Sequence, residues 1–201
     1  MEVQAHGNLF EDVKTREITG LGKEEYDKLK SNGYTSSMDI VKGLHSDIDV
    51  SIKTAKSNKV DCGDVLRRRA ESEYDIVIGQ WTQAGDNKVF HTEYTFHIKP
   101  EHESLLWGKM NYEKLREFDS YIKSIHAGLN GQQETMIVRQ LLKNIVEDSN
   151  ALMSIHPKVD SKKQRRVQCS FNIDKLIKSG VEYEARPIRI VIESKTRTFN
   201  K

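Results

Sequence analysis

Residues 36–58 read SSMDIVKGLHSDIDVSIKTAKSN. From Asp47 onward the run alternates, with Asp47, Asp49, Ser51 and Lys53 on one side and Ile48, Val50 and Ile52 on the other. Alternation of this length predicts a β-strand over 46–54 with one face in a core. Its other face carries two carboxylates, a hydroxyl and an ammonium. A third carboxylate, Asp39, lies 12 residues before Ser51, about the separation that a strand, a turn and a return strand require. A solvated sheet face would also alternate acids and lysines. Three features weigh against it: Asp39 returns beside 49–53 in such a hairpin, SIKTAKSN opens a loop at the strand end, and Glu11 sits on a helix whose apolar residues must pack on the same sheet.

Working outward, residues 8–30 read as helix, with Leu9, Phe10 and Val13 on one face and a Gly-Leu-Gly break at 20–22. Asn32-Gly33 reads as a turn. VDCGDVLRRRAES (60–72) predicts a short helix with Asp61 as its N-cap. YDIVIGQW (74–81) is a more continuously apolar strand, as in the middle of a sheet. VFHTEYTFHI (89–98) alternates again and stops at Pro100. Residues 101–153 show helical periodicity, PKVDSKKQRRVQCSFN a basic loop running into a strand, NIDKLIKSG a short helix and ARPIRIVIES a final strand. This order predicts an α/β (α+β) fold with a mixed central sheet flanked by helices. One domain over 1–201 is expected, with a core at about 8–100 and a helical and basic part at about 101–201.

The acids and the lysine resemble the signature of the PD-(D/E)XK nuclease superfamily, and within it type II restriction endonucleases. That signature is an Asp on one strand followed by an acid-x-Lys triplet on the next. SMD ending at Asp39 resembles the first half, and Ser51-Ile52-Lys53 the second; a Glu on the first helix, here Glu11, often accompanies them. The resemblance implies a restriction-endonuclease-like core, Mg²⁺ as cofactor, double-stranded DNA as substrate and hydrolysis of its phosphodiester bonds. It implies catalytic roles for Asp39, Asp49, Ser51 and Lys53, and metal ligation by Asp39, Asp49 and Glu11. Carboxylates suit Mg²⁺, a hard ion that takes oxygen ligands and keeps several waters. The chain departs from the signature at Ser51, where the triplet has its acid. Either Ser51 replaces that acid, or Asp49 or Glu11 supplies the charge.

A second informative stretch is KVDSKKQRRVQCS (158–170). Lys162, Lys163, Gln164, Arg165, Arg166 and Gln168 combine phosphate-neutralising cations with side chains that read guanine and adenine in the major groove. Arg67, Arg68 and Arg69 form another cluster; on a helix at most two of them face one ligand.

The bulk numbers bear on the partner and the compartment. Net charge is only +2, but residues 158–201 hold 12 Lys/Arg against 5 Asp/Glu, leaving the remainder net acidic. Such asymmetry suggests an anionic partner met on one face. No apolar run approaches the roughly 18–20 residues that span a bilayer, and no signal peptide is evident at the N-terminus. Two cysteines without metal or redox spacing, Cys62 and Cys169, suit a reducing cytoplasm, and each reads as a small buried hydrophobe. No HExxH, G-x-S-x-G or Gly-rich phosphate loop in the right context suggests another chemistry. A homodimer is expected, because one such site cuts one strand and doubling it cuts both. Competing expectations are a non-catalytic DNA-binding protein and a structure-specific repair or junction nuclease.

Overall fold

The computed structural model describes residues 5–31, 37–68, 72–110, 112–125, 131–146, 151–159 and 165–193. Within them lie six α-helices and seven strands: α1 (Ala5–Thr19), α2 (Lys23–Leu29), β1 (Asp49–Ala55), β2 (Lys59–Asp64), β3 (Tyr74–Ala84), β4 (Asn87–Ile98), α3 (Glu103–Trp107), α4 (Tyr112–Ser124), α5 (Gly131–Val146), β5 (Ser154–Lys158), β6 (Arg166–Asn172), α6 (Ile173–Lys178) and β7 (Tyr183–Glu193). The fold is mixed α and β, with a four-stranded sheet ordered β1-β3-β4-β7 and a three-stranded sheet ordered β2-β6-β5. None of the described helices is long and apolar enough to cross a membrane.

Two compact units result. One contains 1–58, 72–98 and 181–201, the other 59–71 and 99–180. The boundary expected near residue 100 is therefore crossed by two segments: β7 returns to the first unit's sheet, and β2 belongs to the second.

In the first unit, β1 pairs parallel with β3, and β3–β4 and β4–β7 are antiparallel, so the sheet is mixed. Ile76, Val77 and Ile78 of β3 are all buried, which is why that strand lacks alternation. β1 is an edge strand. Among the described residues its outer side is met by a single antiparallel bridge, Ile40 with Val50, so the expected hairpin past Asp39 is reduced to one bridge with no strand before β1.

Helix α1 lies on the sheet through Phe10, which stacks on Phe90 at 4.6 Å between ring centroids. Phe10 belongs to a buried cluster with Val50, Ile52, Val77, Trp81 and Ile192. The ring can sit so close only because residue 79 is glycine: a Cβ there would lie 2.4 Å from Phe10 Cζ. A second tether is ionic. Buried Lys14 pairs with buried Glu93 of β4 at 2.8 Å, and Arg186 of β7 reaches Glu93 at 2.7 Å. Gly20, at φ +77°, ends α1 in the left-handed conformation that favours glycine, and α2 begins after Gly22.

In the second unit the three strands are antiparallel. Here the expected helix over 60–72 is wrong. Lys59–Asp64 is strand β2, with Val60 and Cys62 buried in alternation, and only Leu66–Arg68 keeps a 3-10 turn. Asp61 is no N-cap; its Oδ1 accepts the N–H of Gly63 at 3.0 Å, at a bulge opposite Cys169. The alternation that marks β2 is only four residues long, and the Asp and Gly at the bulge masked it. Cys62 and Cys169 are buried as free thiols, and the hydrogen bond between them, followed by burial, pushes the Cys169 thiol up. Along α4, Leu115, Phe118, Asp119 and Ile122 are buried at helical spacing.

Gly79→Ala is expected to destabilise the protein by about 1–3 kcal/mol, the cost of overpacking a tight contact. Gly79→Ala in a Phe10→Leu background should cost less. Urea denaturation of the single and double variants checks this; equal losses in both backgrounds would contradict the Phe10 contact.

Candidate active site

Edge strands expose a row of unpaired N–H and C=O groups. On β1 the outward groups of Val50 are taken by Ile40. The next outward N–H, that of Ile52, donates instead to Asp39 Oδ2 at 2.6 Å. The same oxygen receives Lys53 Nζ at 3.0 Å and Ser51 Oγ at 3.3 Å. Lys53 Nζ also donates to the main-chain carbonyl of Ile52 at 2.8 Å. Asp39, Ser51 and Lys53 therefore meet at one point on the sheet edge. Ser51 is fully buried, while the Asp39 and Lys53 side chains remain about one fifth exposed, at 22% and 18%.

Glu11 approaches from α1, one residue beyond the Phe10 anchor. Its carboxyl is held above its ordinary value of 4.5, first by burial and then by the charge of Asp39; Lys23 and Lys53 work the other way. Glu11 and Asp39 are thus near enough to repel each other. Lys23 bonds Glu11 Oε1 at 2.8 Å and Asp27 Oδ2 at 2.8 Å. Burial works to lower the pKa of Lys23, but its bonds to Asp27 and Glu11 outweigh this and hold it above its ordinary value. Sequence reasoning missed Lys23. Its signal was the i,i+4 pairing of Lys23 with Asp27 in KEEYDKLK, which gives no hint of Glu11.

Asp49 does not join this group through any contact. Its Oδ1 accepts the N–H of Lys42 at 2.7 Å, so it closes the turn between Ile40 and β1. Tyr26 anchors the same turn, with its hydroxyl donating to Leu44 O and accepting from Val41 N–H, each at 2.9 Å.

The remaining candidates lie in the second unit. Lys162, Lys163 and Gln164 fall outside the described residues, as does Arg69. Arg166 is exposed at the start of β6 and Arg165 precedes it half-buried. Gln168 is 8% exposed in the middle of β6, opposite Asp64 and His156, so it is not presented as a base-reading side chain on an open loop.

Among the described residues no three His, Cys, Asp or Glu side chains cluster as a metal set. The donors present are two carboxylates, Glu11 and Asp39, and the Ile52 carbonyl. All are oxygens, and Mg²⁺ is commonly held by one or two carboxylates with waters and substrate phosphate completing its shell. The mutual repulsion of Glu11 and Asp39 is what a divalent cation would relieve, so the donor set fits the ion. Such an ion competes with Lys53 and Lys23 for the same oxygens.

No protein-family model matches the chain, and neither a curated protein nor a solved structure matches it.

Because the native state holds a proton on Glu11 more tightly than the unfolded chain does, this group's contribution to stability falls as pH rises from the ordinary carboxylate range through the raised value. Glu11→Gln removes that loss. Without divalent metal, the variant should melt at a higher temperature than the wild type at pH 7, with the difference closing towards pH 4. Thermal unfolding followed by circular dichroism across that range checks it, and a variant less stable at pH 7 would contradict it.

Proposed function

We propose that the protein is a Mg²⁺-dependent endonuclease that hydrolyses phosphodiester bonds of double-stranded DNA. It is read further as a cytoplasmic, homodimeric type II restriction enzyme with a restriction-endonuclease-like core in the first unit. The observation that carries this reading is the convergence on Asp39 Oδ2 of Ile52 N–H, Ser51 Oγ and Lys53 Nζ, with Glu11 repelled by the same carboxylate. A lysine and two acids at a partly open sheet edge are a set that phosphodiester hydrolysis uses.

In this reading Asp39 and Glu11 would hold the ion. When bound, a divalent ion polarises the scissile phosphate and lowers the pKa of a coordinated water. Lys53 supplies a fixed positive charge where negative charge develops on the phosphate, a contribution strengthened by preorganisation. Its bond to Ile52 O holds the ammonium beside the site independently of Asp39. Ser51 orients Asp39 through its hydroxyl and contributes no charge. Asp49 supports the turn that delivers Asp39. Arg165 and Arg166, with the undescribed Lys162, Lys163 and Gln164, are read as DNA contacts.

A second reading is favoured by one specific observation. Asp39 and Glu11 are each already paired with a lysine, and the triplet acid is replaced by Ser51. A charge-balanced edge of this kind also suits a DNA-binding protein without catalysis.

Incubation with long duplex DNA and Mg²⁺ separates these readings. Discrete fragments are expected; random nicking would assign a structure-specific or non-specific nuclease, and intact DNA the non-catalytic binder. Asp39→Asn and Lys53→Ala should each lower the cleavage rate by at least about 100-fold, of the order seen when one preorganised charge is removed, while duplex affinity in chelator is kept. Asp49→Asn should lower it less. Full cutting by Lys53→Ala would remove the assignment from this strand.

A further inference from the structure

Beyond the cluster at Asp39, β1 leads into a second group of charges that the reading above does not use. Lys56 immediately follows the strand, and its Nζ lies 5.9 Å from the centroid of the Trp81 ring. Lys88 of β4 places its Nζ over the same ring at 4.3 Å. Among the described residues neither ammonium has a carboxylate or hydrogen-bond partner, in contrast to Lys14, Lys23, Lys30 and Lys53, which are all paired. Lys88 is only 8% exposed. It pairs in register with Ile192, a member of the buried cluster under α1.

Two cations on one indole repel each other. Burial and the charge of Lys56 both disfavour the charged form of Lys88, and its pKa is lowered. Cation–π attraction offsets part of this cost, but an indole carries no counter-charge. An anion close to the two ammoniums would offset the remainder. The loop carrying Lys56 is pinned to β3 by Gln80 Nε2 donating to Asn58 Oδ1 at 3.0 Å, and Lys88 is buried with its Nζ over the Trp81 ring. The N-terminal turn of α1 lies at the same end of the sheet, since a Cβ at Gly7 would be 4.0 Å from Thr54 Oγ1. Helix N-termini add favourable potential for anions.

We propose that Lys56 and Lys88, held on Trp81, form a phosphate-binding subsite for the backbone of the nucleic-acid strand cut at Asp39 and Lys53. This assignment of ligand rests on the nuclease reading. Three residues of extended chain separate Lys53 from Lys56, roughly 10 Å. The subsite therefore takes a backbone phosphate close to the scissile one. Its role is to fix the strand's register, since phosphate contacts position and do not read sequence.

The test is duplex binding in chelator over a range of salt, by fluorescence anisotropy, for the wild type, Lys56→Ala, Lys88→Met and Lys88→Arg. Lys56 is exposed, so its replacement does not threaten the fold, and methionine keeps the length and apolar character of the buried Lys88 stem. Lys56→Ala and Lys88→Met should each lower the log–log salt slope by about 0.9 and weaken binding up to roughly tenfold at 0.1 M salt, whereas Lys88→Arg keeps the wild-type slope. Unchanged slopes in a protein that binds and cuts duplex would overturn the subsite and leave the nuclease reading standing. A wild type that neither binds nor cuts duplex would overturn both. Quenching of Trp81 fluorescence by inorganic phosphate without any duplex binding would assign the pair to a free anion and overturn the proposal.

Discussion

The 2.6 Å hydrogen bond from Ile52 N–H to Asp39 Oδ2 is the contact on which the site depends. An edge strand must dispose of its outward amides, and β1 does so with a carboxylate where a neighbouring strand would otherwise stand. The consequence is chemical. A carboxylate used as an edge cap is fixed in position, partly open to solvent and next to the side chains of the residues flanking the capped amide. Those residues are Ser51 and Lys53, which both bond the same oxygen. A structural need of the sheet thus gathers an acid, a hydroxyl and an ammonium within hydrogen-bond reach.

Glu11 arrives by an independent route. Its place is set by how α1 docks, which depends on Phe10 fitting over Gly79 and on Lys14 pairing with Glu93. Breaking a buried ion pair by removing one partner typically costs about 3–5 kcal/mol, so the ionic tether strongly specifies the seating of α1 even where its net contribution to stability is small. Apolar contact sets how closely the helix approaches, and the ion pair sets its rotation. Together they bring a second carboxylate towards Asp39, although burial and then the charge of Asp39 raise the Glu11 pKa. Lys23 and Lys53 partly neutralise the two acids, and a divalent ion would do so more fully.

Much of the first unit was legible in the sequence because its strands are long enough to display their period. β1, β3 and β4 follow from alternation and apolar runs, and the return of Asp39 beside β1 from a spacing of 12 residues. β2 was not legible: a bulge at Gly63 interrupts a strand of six residues, and acids beside a glycine resemble a helix start. The grouping of Asp39, Ser51 and Lys53 followed from register. That of Asp49 did not hold, because alternation gives the face of a strand and says nothing about a nearby turn, and Asp49 is taken by the Lys42 amide. The Lys23–Glu11 pair and the Lys56–Trp81–Lys88 stack depend on tertiary placement of separate elements, which no local period encodes. Gln168 shows the reverse case: its residue type suits base reading, but the strand buries it.

The central claim is that Asp39 and Glu11 form one divalent-cation site at the edge of β1. Titration of the metal-free protein with Mn²⁺, followed by electron paramagnetic resonance of the free ion at neutral pH, tests it most directly. The account predicts saturable binding in the wild type, weakened at least tenfold by either Asp39→Asn or Glu11→Gln and tightened by Lys23→Met, which removes a competing ammonium. Binding that is absent in the wild type, or unaffected by both carboxylate replacements, would contradict it.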